Sequence, residues 1–147
     1  MSKVFITGVA GLLGSHLAEH FLKQGWDVVA CDNMLGGYQD NIPKGVKFFK
    51  KDCRDLKAMT KASEGADLVY HCAATAYEGL SVFSPTLVTD NIVQATISVL
   101  TAAVKNKVKR TVICSSMARY GALPTVPFTE DMEPKPQDPY GIGKLVT

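Results

Sequence analysis

The sequence has no CxxC pair, no internal repeat, no low-complexity linker and almost no net charge. It also lacks any segment that approaches the ~20 apolar residues of a membrane span. The formal charge is +2, with Lys and Arg spread evenly. That leaves no basic surface for nucleic acid or a membrane, and a small-molecule partner is expected instead. Cys31, Cys53, Cys72 and Cys114 lie far apart, each near the end of an apolar run. This spacing suits neither zinc nor a redox pair and predicts small buried thiols in a reducing compartment. The opening MSKVFITG reads as a strand rather than a signal peptide, so the expected location is cytoplasmic. What is present, 147 residues with 46% hydrophobic and 20% charged, is enough for one globular domain with a real core.

Short β-branched runs alternate with longer amphipathic stretches. The strand candidates are KVFIT, DVVAC, VKFFK, DLVYH and RTVIC. Between the first two, GLLGSHLAEHFLKQG reads as a helix with Leu13, Leu17, Phe21 and Leu22 on its apolar face and Gly25 as its C-cap. LKAMTKASEG reads as a shorter helix, and the run from about Pro85 to Asn106 as a long helix apolar over much of its surface. A helix of that kind needs cover from the sheet on one side and from a second subunit on the other. Gly121 to Pro139 carries five of the seven prolines and is expected to be an extended connection. The alternation predicts an α/β fold, a doubly wound parallel sheet (Rossmann-like), incomplete at the C-terminus.

The stretch TGVAGLLGSH follows the first strand and opens the first helix, with Gly8, Gly11 and Gly14 three residues apart. Glycines so placed permit a tight turn and let backbone N–H groups approach a pyrophosphate at the positive end of the helix. The second strand ends at Asp32, 18 residues beyond Gly14. A carboxylate at about that distance accepts from the adenosine ribose hydroxyls. It also repels a 2′-phosphate, and no Arg adjoins it, so NAD is expected rather than NADP. In the same first helix, HLAEH (His16 to His20) matches the HxxEH pattern of inverted zinc proteases. With His71 the only other histidine, it is read as a polar, solvated helix face, and no metal is expected.

Near the end, DPYGIGKLVT places Tyr140 and Lys144 one helical turn apart, with Asp138 and Pro139 as N-cap and first helical residue. A phenol is a poor base at neutral pH unless nearby positive charge favours its phenolate. An ammonium one turn away and the helix dipole both act in that direction.

Taken in order, TGVAGLLGSHL, CDN, DCRD, HCAA, Asn91, SSMARYG and YGIGK resemble the extended short-chain dehydrogenase/reductases, specifically the NAD-dependent epimerase/dehydratase group that acts on nucleotide sugars. The resemblance runs through all 147 residues. It implies that Gly8, Gly11, Leu12, Leu13 and Gly14 hold the pyrophosphate and that Asp32 and Asn33 hold the adenosine ribose. It further implies Asp52 and Cys53 beside the adenine, Asp52 by its side chain and Cys53 by its backbone, and Cys72, Ala73 and Ala74 along the cofactor. Ser116, Tyr140 and Lys144 match the catalytic residues, with Tyr140 as base, Lys144 also on the nicotinamide ribose, and Ser116 on the reacting oxygen.

Departures from the pattern narrow the expected reaction. Met117 and Ala118 stand where the 4,6-dehydratases have an Asp-Glu pair, and Ala118 also where decarboxylating relatives have Glu, so oxidoreduction at a carbinol, as in an epimerase, is favoured. Arg119 replaces a usual small apolar residue; it reaches a substrate phosphate or points to solvent. Glu78, in TAYEGLS, helps acid–base work or only caps a turn. The family places its substrate-binding portion after the YxxxK helix. The chain is therefore expected to be the N-terminal part of a longer enzyme with a nucleotide-sugar substrate, and a homodimer through its long helix and the helix of Tyr140. The alternatives are a stand-alone NAD-binding or regulatory module without turnover, or another oxidoreductase of the superfamily.

Overall fold

The computed structural model describes residues 1–124 and 126–147; Thr125, inside the proline-rich connection, lies outside the described residues. Five parallel strands form one sheet: β1 (Lys3–Thr7), β2 (Asp27–Asp32), β3 (Lys47–Lys50), β4 (Leu68–His71) and β5 (Arg110–Ile113), in the order β3-β2-β1-β4-β5. β1 occupies the centre because Val4, Phe5 and Ile6 are apolar without interruption and bury both faces. The edge strands β3 and β5 carry Lys47, Lys50 and Arg110, all exposed.

Strand alternation divides the core into two layers. Val4, Ile6, Val28 and Ala30 meet Ala18 and Phe21 of α1 (Leu12–Lys23). On the opposite face, Phe5, Val29, Cys31 and Val69 meet Met59 of α2 (Leu56–Ala62) and Val99 and Ala102 of α5 (Ala95–Lys105). Asp55 caps α2 by accepting from the Ala58 N–H at 3.0 Å.

α1 ends as the sequence predicts, with Gly25 at φ +76°. The Trp26 N–H donates to the Phe21 carbonyl and the Gly25 N–H to that of Leu22, both at 3.0 Å. This is a Schellman motif, and the accompanying apolar contact is the Phe21–Trp26 ring pair, with centroids 5.0 Å apart. The face of α1 differs at one position from the sequence reading. Leu13 is 51% exposed, because the first turn overhangs the glycine loop and Gly14 takes the buried place instead.

The long helix also differs. It runs as α4 (Pro85–Thr89), a π-helical turn (Asp90–Gln94) and α5, and it is preceded by α3 (Glu78–Phe83), a helix the sequence reading does not include. The 21 residues from Pro85 to Lys105 are long and apolar enough, by length and composition, to cross a membrane, which corrects the expectation that no segment approaches that length. Half of that stretch is buried in the fold, as expected of a core helix.

After β5, a short turn (Met117–Tyr120) leads into the proline-rich connection, which carries no helix or strand among its described residues. α6 (Pro139–Leu145) then packs on α4, α3 and the Met117–Tyr120 turn. Asp138 caps it, accepting from the Gly141 N–H at 2.7 Å, with Pro139 in the first helical position.

Candidate functional site

β1 and β4 are neighbours from which the chain winds outward in opposite directions, so their carboxyl ends border the crevice where a doubly wound sheet binds ligands. A cleft of about 280 Å³ opens there. It is lined by Gly8, Gly11, Asp32, Asn33, Asp52, Cys53, Cys72, Ala73 and Ala74, nine of the residues singled out from sequence.

The glycines fit their places sterically. Gly8 has φ +73°, and a Cβ there would lie 2.8 Å from the Ala73 nitrogen. A Cβ on Gly14 would collide with the Gly8 carbonyl oxygen, so the helix can seat on the loop only without a side chain. Gly11 is the N-cap of α1 and provides no side-chain cap. The first-turn N–H groups therefore have no side-chain cap, as a phosphate requires, although Leu12, Leu13 and Gly14 themselves are not on the cleft wall. Leu12 and Leu13 contribute backbone to that turn while their side chains are 77% and 51% exposed.

Asp32 is buried and its carboxylate is positioned by two backbone donors, Ala10 N–H at 3.0 Å and Met34 N–H at 2.8 Å. Met34 adopts φ 66° to close that turn. Asn33 Nδ2 donates to Asp52 at 3.3 Å. The Arg54 guanidinium, 2.8 Å away, holds the Asp52 carboxyl down at about 2. The Cys53 thiol is buried 3.9 Å from Cys31.

Behind the cleft, a chain of hydrogen bonds crosses β1, β4, α5 and the π-helical turn. The Ala73 N–H donates to Thr7 Oγ1 at 3.2 Å, Thr7 Oγ1 is 2.7 Å from His71 Nδ1, His71 Nε2 is 3.1 Å from Thr96 Oγ1, and Thr96 donates to the Ile92 carbonyl at 2.7 Å. With Thr96 donating onward and Thr7 accepting from Ala73, consistent donation puts the His71 proton on Nε2. Burial, together with the positive charge of Lys144, holds the His71 pKa down at about 4, so the ring is neutral.

A second depression, lined by Ala76, Tyr77, Glu78, Gly79, Leu80 and Tyr140, shares Ala76 and Tyr77 with the first. Tyr140 is 7% exposed and packs on Val88 and Ile92. One turn on, Lys144 is 6% exposed; its Nζ donates to the Cys114 carbonyl at 2.6 Å. Burial pulls its pKa below the usual lysine value, against the opposing pull of the Cys114 and Cys72 sulfurs. The Ser115 hydroxyl donates to the Lys144 carbonyl at 2.9 Å, and Ser116 Oγ caps the Met117–Tyr120 turn by accepting from the Ala118 N–H at 3.1 Å. Ser116 and Lys144 are not on the wall of either depression.

Several expectations are refined. Glu78 begins a helix, is exposed, and lies on the wall with Tyr140. Arg119 does not simply point to solvent: its guanidinium lies 5.3 Å from the Tyr120 ring centroid, and its Nε is buried with no partner among the described residues. His16, Glu19 and His20 are exposed; Glu19 pairs with Lys23 at 3.8 Å and His20 with Gln24 at 3.0 Å. Only two of the four cysteines are buried, since Cys72 and Cys114 are partly exposed.

The cleft also includes Leu35, Thr75, Tyr77 and Asn91, which sequence reasoning does not assign to the site. Asn91 is the one with a legible signal, since it stands among the residues that carry the family resemblance, although no role is drawn from it. It is buried in the π-helical turn and donates to Thr75 Oγ1 at 2.9 Å. π turns inside α-helices are frequent at functional sites.

Known proteins share this fold. The chain is 37% identical to a UDP-glucose 4-epimerase of Streptomyces lividans, over 97% of its own length and 44% of that protein. It is 35% identical to UDP-arabinose 4-epimerase 1 of Arabidopsis thaliana, over 98% of its own length and 37% of that protein. Among solved structures, UDP-glucose 4-epimerase of Thermotoga maritima with UDP-glucose superposes with a TM-score of 0.94 at 27% identity, covering 98% of this chain and 48% of that one. The UDP-glucose 4-epimerase of Thermus thermophilus in complex with NAD gives 0.90 at 33% identity, again covering 98% and 48%. The chain thus spans less than half the length of these relatives. The NAD dependent epimerase/dehydratase family matches residues 4–147, and the chain belongs to that family.

Proposed function

We propose that residues 1–147 are the NAD-binding and catalytic part of a UDP-sugar 4-epimerase, with the sugar-recognising residues in the portion of its relatives that this sequence does not cover. The observation that carries this reading is the buried Tyr140 on the wall of a depression that adjoins the glycine-loop cleft at Ala76 and Tyr77, with Lys144 one turn behind it. Gly8, Gly11, Leu12, Leu13 and Gly14 would hold the pyrophosphate, Asp32 and Asn33 the adenosine ribose, Asp52 and Cys53 the adenine, and Cys72, Ala73 and Ala74 the inner edge of the cofactor. NAD, when bound, supplies a hydride acceptor beside the sugar carbinol.

The protein's own contribution is to manage the proton. Tyr140 takes it from the sugar hydroxyl, Lys144 holds the nicotinamide ribose one turn behind it, and Ser116 hydrogen-bonds the reacting oxygen. Met117 and Ala118 have no acid or base to expel water from the sugar, which supports epimerisation over dehydration. A homodimer fits the exposed Leu87, Ile97 and Val104 along the long helix and Ile142 on α6.

The deciding experiment uses the protein at its natural length. It interconverts UDP-glucose and UDP-galactose or a corresponding UDP-pentose pair, and Tyr140→Phe lowers the rate at least about a hundredfold while NAD still binds. A Tyr140→Phe enzyme of unchanged rate removes the assigned base. A native protein that binds NAD but turns over no nucleotide sugar is a cofactor-binding module instead.

A further inference from the structure

Cys72 and Cys114 are 42 residues apart, yet their sulfurs lie 3.7 Å from each other. Each stands one residue beyond a strand, and the register pairs His71 with Ile113, so the two cysteines occupy the next rung of adjacent parallel strands. Strands in a sheet lie about 4.8 Å apart, within the Cα range that a disulfide spans, and bond formation needs the sulfurs to close to about 2.05 Å. Both residues are partly exposed, and Cys72 lines the cleft. Cys31 and Cys53 make a second pair at a comparable 3.9 Å, but both are buried in the core. Comparable separations with opposite access allow the two pairs to be compared within one molecule.

We propose that Cys72 and Cys114 form a reversible thiol–disulfide pair, closed by small-molecule disulfides, that governs NAD access to the cleft. The proposal rests on the NAD reading of that cleft. The Cys114 thiolate attacks one sulfur of a small disulfide, the other sulfur leaves as a thiolate, and a mixed disulfide remains on Cys114. Cys72 then loses its proton to solvent and attacks Cys114 Sγ, and the second small thiolate leaves. Overall two protein thiols are oxidised to one disulfide, and one small disulfide is reduced to two thiols.

The surroundings favour Cys114 as the attacking group. The Cys72 thiol beside it and the Lys144 ammonium bring its pKa down to about 6 against the effect of burial, while Cys72 is raised. Closure also has a route to the site. It abolishes the charge on Cys114, the residue whose carbonyl takes the Lys144 ammonium, and it ties Cys72, on the cleft wall, to β5. The oxidised chain therefore binds NAD more weakly, and bound NAD slows closure by covering Cys72.

The test incubates the purified chain with oxidised glutathione, blocks free thiols, and maps tryptic cross-links. Lys and Arg residues separate all four cysteines into different peptides. A Cys72–Cys114 link without a Cys31–Cys53 link is expected. Calorimetry is expected to give NAD affinity about tenfold or more lower in the oxidised chain, restored by a phosphine reductant. Cys72→Ser stops at the mixed disulfide on Cys114, and Cys114→Ser binds NAD identically before and after oxidant. A Cys31–Cys53 link in place of the expected one, glutathione adducts with no internal link, or a Cys72–Cys114 link with unchanged NAD affinity each overturns the proposal. A reduced chain that takes no NAD overturns the cofactor reading and the access role together, and the cross-link map still reports separately whether the pair closes.

Discussion

Lys144 Nζ donates to the carbonyl of Cys114 at 2.6 Å, which joins the last helix to the end of β5 through a buried ammonium. A buried charge needs such a partner, because burial alone disfavours it. Lys144→Met keeps most of the stem and removes the charge. It is expected to weaken NAD binding roughly tenfold to a hundredfold, in line with about 1.5–3 kcal/mol for a hydrogen bond to a charged group. Calorimetric titration, with urea unfolding to check that the chain is still folded, measures this.

His71 makes stability pH-dependent in a defined window. Its folded pKa of about 4 lies below the ordinary 6.5, so between those values the unfolded chain holds more protons and stability falls as pH drops. Above 6.5 the stabilisation is complete; below about 4 it is lost, to the extent of about 3 kcal/mol. Asp52, with a folded pKa of about 2 against 3.8, adds a loss of the same sign in the more acid range. Urea midpoints between pH 7 and pH 4.5 should decline in the native chain and decline less in His71→Gln.

Gly14→Ala and Gly25→Ala separate a steric requirement from a backbone one. The Gly14 methyl would press on the Gly8 carbonyl, so a loss of about 1–3 kcal/mol is expected together with weakened NAD binding. Gly25 faces open space but has φ +76°, so alanine there costs about 1 kcal/mol and leaves NAD binding unchanged. Thermal melts and NAD titrations of both variants make the comparison.

Asp32→Ala leaves the buried Ala10 amide and the half-buried Met34 amide without their acceptor, at a stability cost of about 1–3 kcal/mol. On the proposed reading of the cleft, the same change removes the carboxylate that opposes a 2′-phosphate. The native chain is expected to bind NAD at least about tenfold more tightly than NADP, and Asp32→Ala to narrow that ratio. Paired titrations with the two dinucleotides decide it.

Features set by local chemistry are readable from the sequence. The Gly25 cap and the Asp138–Pro139 helix start lie within a few residues of the groups they serve, and the glycine loop and Asp32 are marked by their places at the ends of the first two strands. Leu13 escapes such a reading because helical periodicity does not show that the first turn overhangs a loop. The π-helical turn at Asn91 and the helix at Glu78 depend on packing against α6 and the cleft, for which no local pattern exists. The Cys72–Cys114 proximity is hidden for a different reason. Separation along the chain suggests unrelated thiols, but the strand order makes them neighbours, and both cysteines directly follow the apolar runs DLVYH and RTVI.

The chain of hydrogen bonds from Ala73 through Thr7, His71 and Thr96 to the Ile92 carbonyl has a direction, because every proton in it points the same way. Reversing any one member would leave two donors or two acceptors facing each other, so the whole string has a single low-energy setting. It runs from the cleft wall through the ends of β1 and β4 to the turn that carries Asn91. The floor of the cleft is in this sense keyed, like a tongue in a slot. One continuous string of hydrogen bonds thus reaches both the residue before Gly8 and the turn that carries Asn91, so the two sides of the cleft rest on a shared support.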